Sequence, residues 1–338
     1  GGVWYVVLSA YTSGASAAAD IAGPNVVVLS GNFVQGVEGL GFDEFAANKN
    51  LVYPVGSVED LAGLVGVLDD QQISLKGWHP GSAVGGGTLY WDAGKLKSEH
   101  NGGTVFSPTV PFSVITGDYL NAVGETDGGG SGCWVRLPET EYTYVTHFGA
   151  VGLNSVLDNT ASFKAAIQNT KMGSTLWVPA GSYKFQKALG STYNILIDRN
   201  VSLVGEGSRA VTLLGYNGSD AVIGVAITDN NGLLDVRDWL LEGINVNNQD
   251  GKHCVEVKGG MSISQSAIRN NGFSAGPLDA TDLVRNKSLN VLGQLSHSVV
   301  ELNNFSSPCY LHVYDANLFR KNTSFGTGGF AYQLNVDL

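Results

Sequence analysis

The sequence predicts an all-β solenoid. Three observations lead there: few charges with many glycines, a downstream half built from short apolar runs, and asparagine pairs recurring where those runs end. Charged residues make up 14% of the 338 and glycines number 46, against about 25% and about 7% in average globular chains. Helical bundles and coiled coils draw on Glu, Lys, Ala and Leu for propensity and surface charge, so this composition argues against them. A hydrophobic fraction of 43% argues equally against wholesale disorder.

In residues 1–70, Val3–Ala10 and Val26–Leu29 are apolar runs, and Ala15 to Ile21 between them predicts a short helix ended by Gly23-Pro24. Ser57 is a candidate N-cap with Glu59 and Asp60 in the first turn, which places a second short helix at about 58–65. Residues 71–140 read as a small β domain, with strands at Gln72–Trp78, Thr88–Asp92 after a triple glycine, and Cys133–Leu137 after Gly128–Gly132. Its Trp78, Trp91 and Trp134 are either core residues or stacking platforms for sugars.

From residue 141 the pattern changes. Asp158, Asn159 and Thr160 are competent N-caps, and Phe163, Ala166 and Ile167 fall at helical i, i+3, i+4 spacing, so one amphipathic helix covers 159–169. Strand runs follow at Val211–Leu214, Ala221–Ile227, Ile244–Val246, Cys254–Val257, Ile263–Ile268, Leu289–Leu292, Val299–Leu302, Tyr310–Val313 and Ala331–Leu334. Three corners read as one phrase: Ile244-Asn-Val-Asn-Asn, Ile268-Arg-Asn-Asn and Leu302-Asn-Asn, with Asn322 beyond. Repetition at roughly 20–35 residues without internal helices marks coils that bury an apolar face only by stacking on their neighbours. Asparagine suits the corners because it tolerates the left-handed conformation and its amide can bond backbone above and below. A two-sheet sandwich also shows short strands, but the recurring Asn-Asn favours the solenoid. The length after Phe148 and a period near 22–25 give about eight coils.

The formal charge is −11, from 30 acids against 19 bases, with no basic patch, so nucleic acid is not an expected partner. Cys133, Cys254 and Cys309 have no ligand spacing. We expect buried free thiols, assembly in a reducing compartment, and neither a metal nor a cofactor. The longest apolar runs fall well short of the ~20 residues a membrane helix needs. Gly205-Glu-Gly207-Ser-Arg-Ala210 fits a loose dinucleotide-binding pattern, but a strand rather than a helix follows it, which removes the phosphate site. The opening Gly1-Gly2-Val3-Trp4 reads as the cut edge of a longer polypeptide.

The phrase Phe148-Gly-Ala-Val-Gly to Ile167, then Trp177-Val-Pro-Ala-Gly-Ser-Tyr and Leu203-Val-Gly-Glu-Gly, resembles the entry of the pectate-lyase superfamily of right-handed parallel β-helices. That opening usually has Gly-Asp-Gly and Asp-Asp-Thr; here Gly152-Leu153-Asn154 and Asp158-Asn159-Thr160 stand instead, which keeps a cap and weakens an acidic role. Upstream, Lys76-Gly-Trp-His-Pro-Gly to Asp92, Asn101-Gly-Gly-Thr-Val and Gly132-Cys-Trp-Val-Arg resemble the neck of bacteriophage tailspikes. The resemblance implies a virion-proximal region at 1–70, a β-rich neck at 71–140 and the first part of a β-helix at 141–338. It further implies a homotrimer on the virion tail, attached through its N-terminal region to tail or baseplate proteins and assembled in the host cytoplasm. Its expected ligand is a capsule or O-antigen polysaccharide, bound and often depolymerised. A non-catalytic attachment spike and a free polysaccharide lyase of the same superfamily are the alternatives.

Glycan hydrolysis needs two carboxylates, about 5–5.5 Å apart for retention and about 6.5–9.5 Å for inversion. Strand alternation turns Glu256 and Glu301 outward and turns His312 and Tyr314 outward as well. The candidate acids are therefore Glu256, Glu301 and Asp315, with Asp279 and Asp282 second, in the insertion Gly272–Asp282. His312 and Tyr314 are candidate sugar-binding groups, or base and acid for a lyase, and Trp239 is a candidate stacking platform. Each competes with an ordinary role as a solvated strand or core residue.

Overall fold

A computed structural model describes the strands at 4–7 and 26–29 and residues 52–337, apart from 139–141, 154–156, 187–190, 217–219, 228–234, 250–251, 276–286, 307–308, 315–316 and 325–331. The expected helix near Ala15 lies outside the described residues. The chain divides into two units, Gly1–His100 with Val105–Phe112 and Ala122–Glu139, and Thr140–Leu338 with Asn101–Thr104 and Ser113–Asn121.

In the first unit Trp4–Val7 and Val26–Leu29 pair antiparallel. A five-stranded sheet joins Tyr53–Val55, Gln72–Gly77, Gly85–Leu96, Ser131–Arg136 and Val105–Phe106 in that spatial order, so strands on both sides of residue 70 share one sheet. The helix Val58–Leu61 starts where expected, with the Ser57 hydroxyl accepting from the Asp60 N–H, and is shorter than 58–65. Trp78, Trp91 and Trp134 are buried in this unit's core, and the Trp134 indole N–H donates to the Leu64 carbonyl at 2.8 Å.

The second unit is a parallel β-helix. Its first sheet stacks Thr143–Tyr144, Thr175–Val178, Ser202–Gly205, Leu240–Glu242, Ala267–Arg269, Val299–Glu301 and Leu318–Arg320. The second stacks Gly181–Gln186, Val211–Tyr216, Asn245–Asn248, Gly272–Ala275, Asn304–Phe305 and Thr323–Ser324. The third runs Tyr193–Ile197, Ala221–Val225, His253–Val257, Lys287–Ser296, Cys309–Tyr314 and Tyr332–Asp337, with Asp235–Arg237 and Ser262–Ser264 beside it. Every described pairing within these three sheets is parallel, as in Leu203 beside Leu241 and Leu241 beside Ile268, which excludes the antiparallel sandwich.

Among the described residues the second sheet has six strands, fewer than the eight coils expected. Equivalent corners lie 38, 27, 32 and 19 residues apart in sequence, and three of these four spacings exceed the expected period of about 22–25.

The helix Thr160–Asn169 sits at the upstream mouth. Phe163, Ala166 and Ile167 are buried, and the Phe163 ring meets Tyr183 and Phe185 edge-on at 5.4 and 4.8 Å, so this face closes the coil that would otherwise expose its core. The cap is Asp158: its Oδ1 accepts from the Thr160 N–H and hydroxyl and from the Gln186 N–H. Asn159 makes no cap bond; fully buried, it accepts from the Val151 N–H and donates toward the carbonyls of Val151, Leu157 and Lys184.

The asparagine corners are real but differently registered. Asn271, Asn303 and Asn322 form a ladder in which each Oδ1 accepts from a backbone N–H one coil upstream, at Ile244, Asn271 and Asn303. Each Nδ2 donates to a carbonyl of that coil, at Leu241, Ile268 and Val300. Ile244 takes this position in the coil above, so the Asn247-Asn248 pair stands outside the ladder. The preceding residue at each level, Gly243, Asn270, Leu302 and Lys321, has φ between 53 and 70° and makes the corner bend.

Candidate functional site

The outer wall of the third sheet carries the most developed polar cluster. Pairing aligns Leu196, Gly224, Glu256 and Asn290 across four neighbouring strands, and Tyr193 with Ala221 and His253 three residues earlier. Val255 and Val257 are fully buried on either side of Glu256, so alternation turns its carboxylate outward as the sequence indicates.

Three side chains meet that carboxylate. The Tyr193 hydroxyl donates to Oε1 at 2.8 Å, the Asn290 amide donates to Oε2 at 3.0 Å, and His253 Nε2 lies 3.6 Å from Oε2. Tyr193 reaches Glu256 across two strand spacings, roughly 9–10 Å, by laying its ring over Gly224. A Cβ at residue 224 would come within 2.3 Å of ring atoms of Tyr193. Burial first, then the hydrogen bond to Glu256 and the charges of Glu256 and Asp220, hold the Tyr193 phenol above its ordinary value, so it remains a proton donor. Asp220, just before the Gly224 strand, is paired with Lys252 at 2.7 Å. Among the described residues no Lys or Arg forms an ion pair with Glu256. An oriented carboxylate beside a protonated phenol can accept sugar hydroxyls, or act as base or nucleophile at an anomeric carbon.

Glu301 belongs to a different surface. The first sheet aligns Glu242, Arg269, Glu301 and Arg320, an alternation of charge along its outer face. Arg269 Nη2 lies 2.9 Å from Glu242 Oε2 and Arg320 Nε lies 2.5 Å from Glu301 Oε2. The Arg320 hydrogen bond holds the Glu301 carboxyl below its ordinary value, with further help from Arg269 and Lys321. Glu256 and Glu301 therefore stand on separate sheets and do not form a carboxylate pair.

Trp239 is corrected from stacking platform to core: it is 1% exposed, and its indole N–H donates to the Val201 carbonyl at 2.9 Å. Asp279, Asp282 and Asp315 lie outside the described residues. His312 and Tyr314 fall in the strand Cys309–Tyr314, where His312 pairs with Asn335 and Tyr314 with Asp337.

Tyr193, Asn290, His253 and Asp220 went unnoticed in the sequence. The signal was Gly224 inside the run Ala221-Val-Ile-Gly-Val, since a glycine in an apolar strand marks a close approach. All three cysteines are free and buried, and burial pushes the Cys254 thiol up to about 12. Among the described residues no group of His, Cys, Asp and Glu could hold a metal ion, and no helix is long and apolar enough to cross a membrane.

This geometry, a helix-plugged parallel β-helix with a polar outer wall, has known relatives. Residues 142–333 match the family described as rhamnogalacturonase A/epimerase, pectate lyase-like, and the chain belongs to it. Residues 54–139 match the phage tail protein small four-stranded β-sheet domain. Among solved structures, the gp42 tailspike of Acinetobacter phage vb_AbaP_AS12 superposes with a TM-score of 0.53 at 13% identity, over 80% of this chain and 44% of its own. Tailspike gp49 of Acinetobacter baumannii bacteriophage Fri1, a capsular polysaccharide depolymerase, gives 0.43 at 14% identity over 85% of this chain and 59% of its own. The chain thus spans about half the length of these proteins. Among curated proteins no sequence matches it.

Proposed function

We propose that this chain is the upstream part of a bacteriophage tailspike that sits on the virion tail and binds and cleaves a bacterial surface polysaccharide at the Glu256 wall. The observation that carries this reading is the Glu256 carboxylate, held by Tyr193, Asn290 and His253 from three strands on a surface long enough for successive sugar units. Glu242 and Glu301 on the first sheet are each paired with an arginine; this carboxylate is oriented by a phenol and an amide. The tail-protein match at 54–139 supports attachment through that region. A homotrimer, in which three β-helices run side by side, belongs to the same proposal. Glu256 acts as nucleophile or base, Tyr193 and Asn290 fix its rotamer, and Asp220 is the second carboxylate whose charge reaches Tyr193.

The test is incubation with capsules and O-antigens from a panel of hosts, following reducing ends and unsaturated uronates. We expect reducing ends to rise with the native chain and to fall roughly a hundredfold with Glu256→Gln. Unsaturated products would assign a lyase. Binding without either product in native protein and variant alike would leave a non-catalytic adhesin and sink the cleavage reading.

A further inference from the structure

A second cleft, of about 600 Å³, opens on the first sheet where it turns into the second. Its walls include Trp177, Glu206, Arg209, Glu242 and Asn270. It includes the Gly205-Glu-Gly207-Ser-Arg segment, and a strand does follow that segment at Val211–Tyr216. The Glu256 wall lies on the third sheet, so the two surfaces share no residue.

We propose that this cleft is a separate saccharide-binding site selective for acidic sugars. Five side chains carry the argument. Trp78, Trp91, Trp134 and Trp239 are buried; Trp177 alone among the tryptophans with described burial is only partly buried, and it lines the cleft. Tyr142, 46% exposed, lies beside it with ring centroids 5.6 Å apart at 38°, which widens the aromatic surface on which a pyranose C–H face can rest. Glu206 is exposed, and only its Oε2 is engaged, by the Ala180 N–H at 3.0 Å. Glu242 is fixed by Arg269 and by Asn270 at 3.0 Å, and each of its oxygens retains acceptor capacity for a sugar hydroxyl.

Arg209 supplies the selectivity. It is exposed, and among the described residues nothing pairs with it. The arginines at 269 and 320 are both bound to glutamates. A planar fork left open beside an aromatic platform matches a uronate carboxylate, which it can bind through two parallel hydrogen bonds. The two glutamates restrict that anion to the Arg209 end and accept neutral hydroxyls elsewhere. The site works with its charges as they stand and needs no chemistry.

Saturation-transfer NMR with tetragalacturonate, a glucuronate-containing hyaluronan tetrasaccharide and maltotetraose, each at about 1 mM, tests the site. Enhancement is expected from at least one acidic saccharide and to be at least roughly tenfold weaker with maltotetraose. It should fall roughly tenfold in Arg209→Gln and Trp177→Ala and stay unchanged in Glu256→Gln. Circular dichroism on Trp177→Ala checks its fold, while Arg209→Gln changes only an exposed, unpaired side chain. No enhancement from either acidic saccharide, equal response to maltotetraose, or a signal that Glu256→Gln abolishes and Arg209→Gln leaves intact would each overturn the proposal. Loss of polysaccharide cleavage in Glu256→Gln with this binding retained would separate the two sites.

Discussion

The outer faces of the first and third sheets are built from the same kind of strand and surround glutamate with opposite kinds of partner. On the first, Glu242, Arg269, Glu301 and Arg320 alternate along the stack, so each carboxylate finds a guanidinium one rung away. On the third, the rungs beside Glu256 offer Gly224 and Asn290, and the partner that reaches over the glycine is a phenol. The identity of the residue one rung away, dozens of positions distant in sequence, decides whether an outward carboxylate is paired with a guanidinium or held by a phenol and an amide. A single-strand pattern such as Val-Glu-Val is blind to that.

The sharpest way to break the comparison is to remove each carboxylate charge in turn. Glu256→Gln is expected to lower polysaccharide cleavage roughly a hundredfold or more, because a positioned acid, base or nucleophile contributes on that scale. Glu301→Gln should leave cleavage within about twofold of native. Reducing-end release by both variants on one substrate decides it. Equal losses would mean that the two faces act as one site and that the contrast is wrong.

Next in size is the corner ladder that holds both faces in register. Asn303 is fully buried. Its amide donates to the Ile268 carbonyl at 2.9 Å, and its Oδ1 accepts from the Asn271 N–H at 3.1 Å. Asn303→Ala leaves both backbone groups without partners in a buried corner, at a cost of about 3 kcal/mol. Urea unfolding with an unchanged slope should show it. A shift below about 0.5 kcal/mol would mean that water replaces the amide and the ladder is incidental.

Gly224→Ala acts on one face only. The added methyl would meet the Tyr193 ring within 2.3 Å, and the nearest atoms around it all belong to that ring. The phenol must swing away from Glu256 while the backbone stays in place. Cleavage should fall roughly tenfold, with Tyr193→Phe falling about as far and the double variant no further. Additive losses would show that Tyr193 and Gly224 act separately.

The sequence carried the coil architecture and the outward Glu256, and left the groups around that carboxylate unread. The plugging helix, the strand runs and the asparagine corners are local patterns: Phe163, Ala166 and Ile167 share a face by spacing alone, and all three are buried. The Asn-Asn phrase suggested stacking, yet its alignment slipped, because Ile244 stands where Asn271 and Asn303 stand one and two coils on. Coils spaced from 19 to 38 residues cannot be registered by phrase matching. That uncertainty hid Tyr193 from Glu256, 63 residues away, and hid the arginines that neutralise Glu301. Trp239 was misplaced for a different reason: tryptophan near acids looks the same whether its indole N–H faces water or the Val201 carbonyl.

The smallest effect distinguishes the faces by acid titration. Arg320 holds the folded-state Glu301 carboxyl below its ordinary value, which in an unfolded chain is about 4.3. A carboxyl whose folded value is depressed adds stability above the unfolded value and loses it as pH falls through the folded one. Native protein should therefore lose thermal stability between about pH 4.5 and pH 3 more steeply than Glu301→Gln. The two curves should converge at the acid end, and the difference at neutral pH should shrink in high salt because the Arg320 side chain is 54% exposed. Parallel curves across that interval would show that the Glu301–Arg320 pair contributes nothing to folding, and the first sheet's charge alternation would then need another reason to exist.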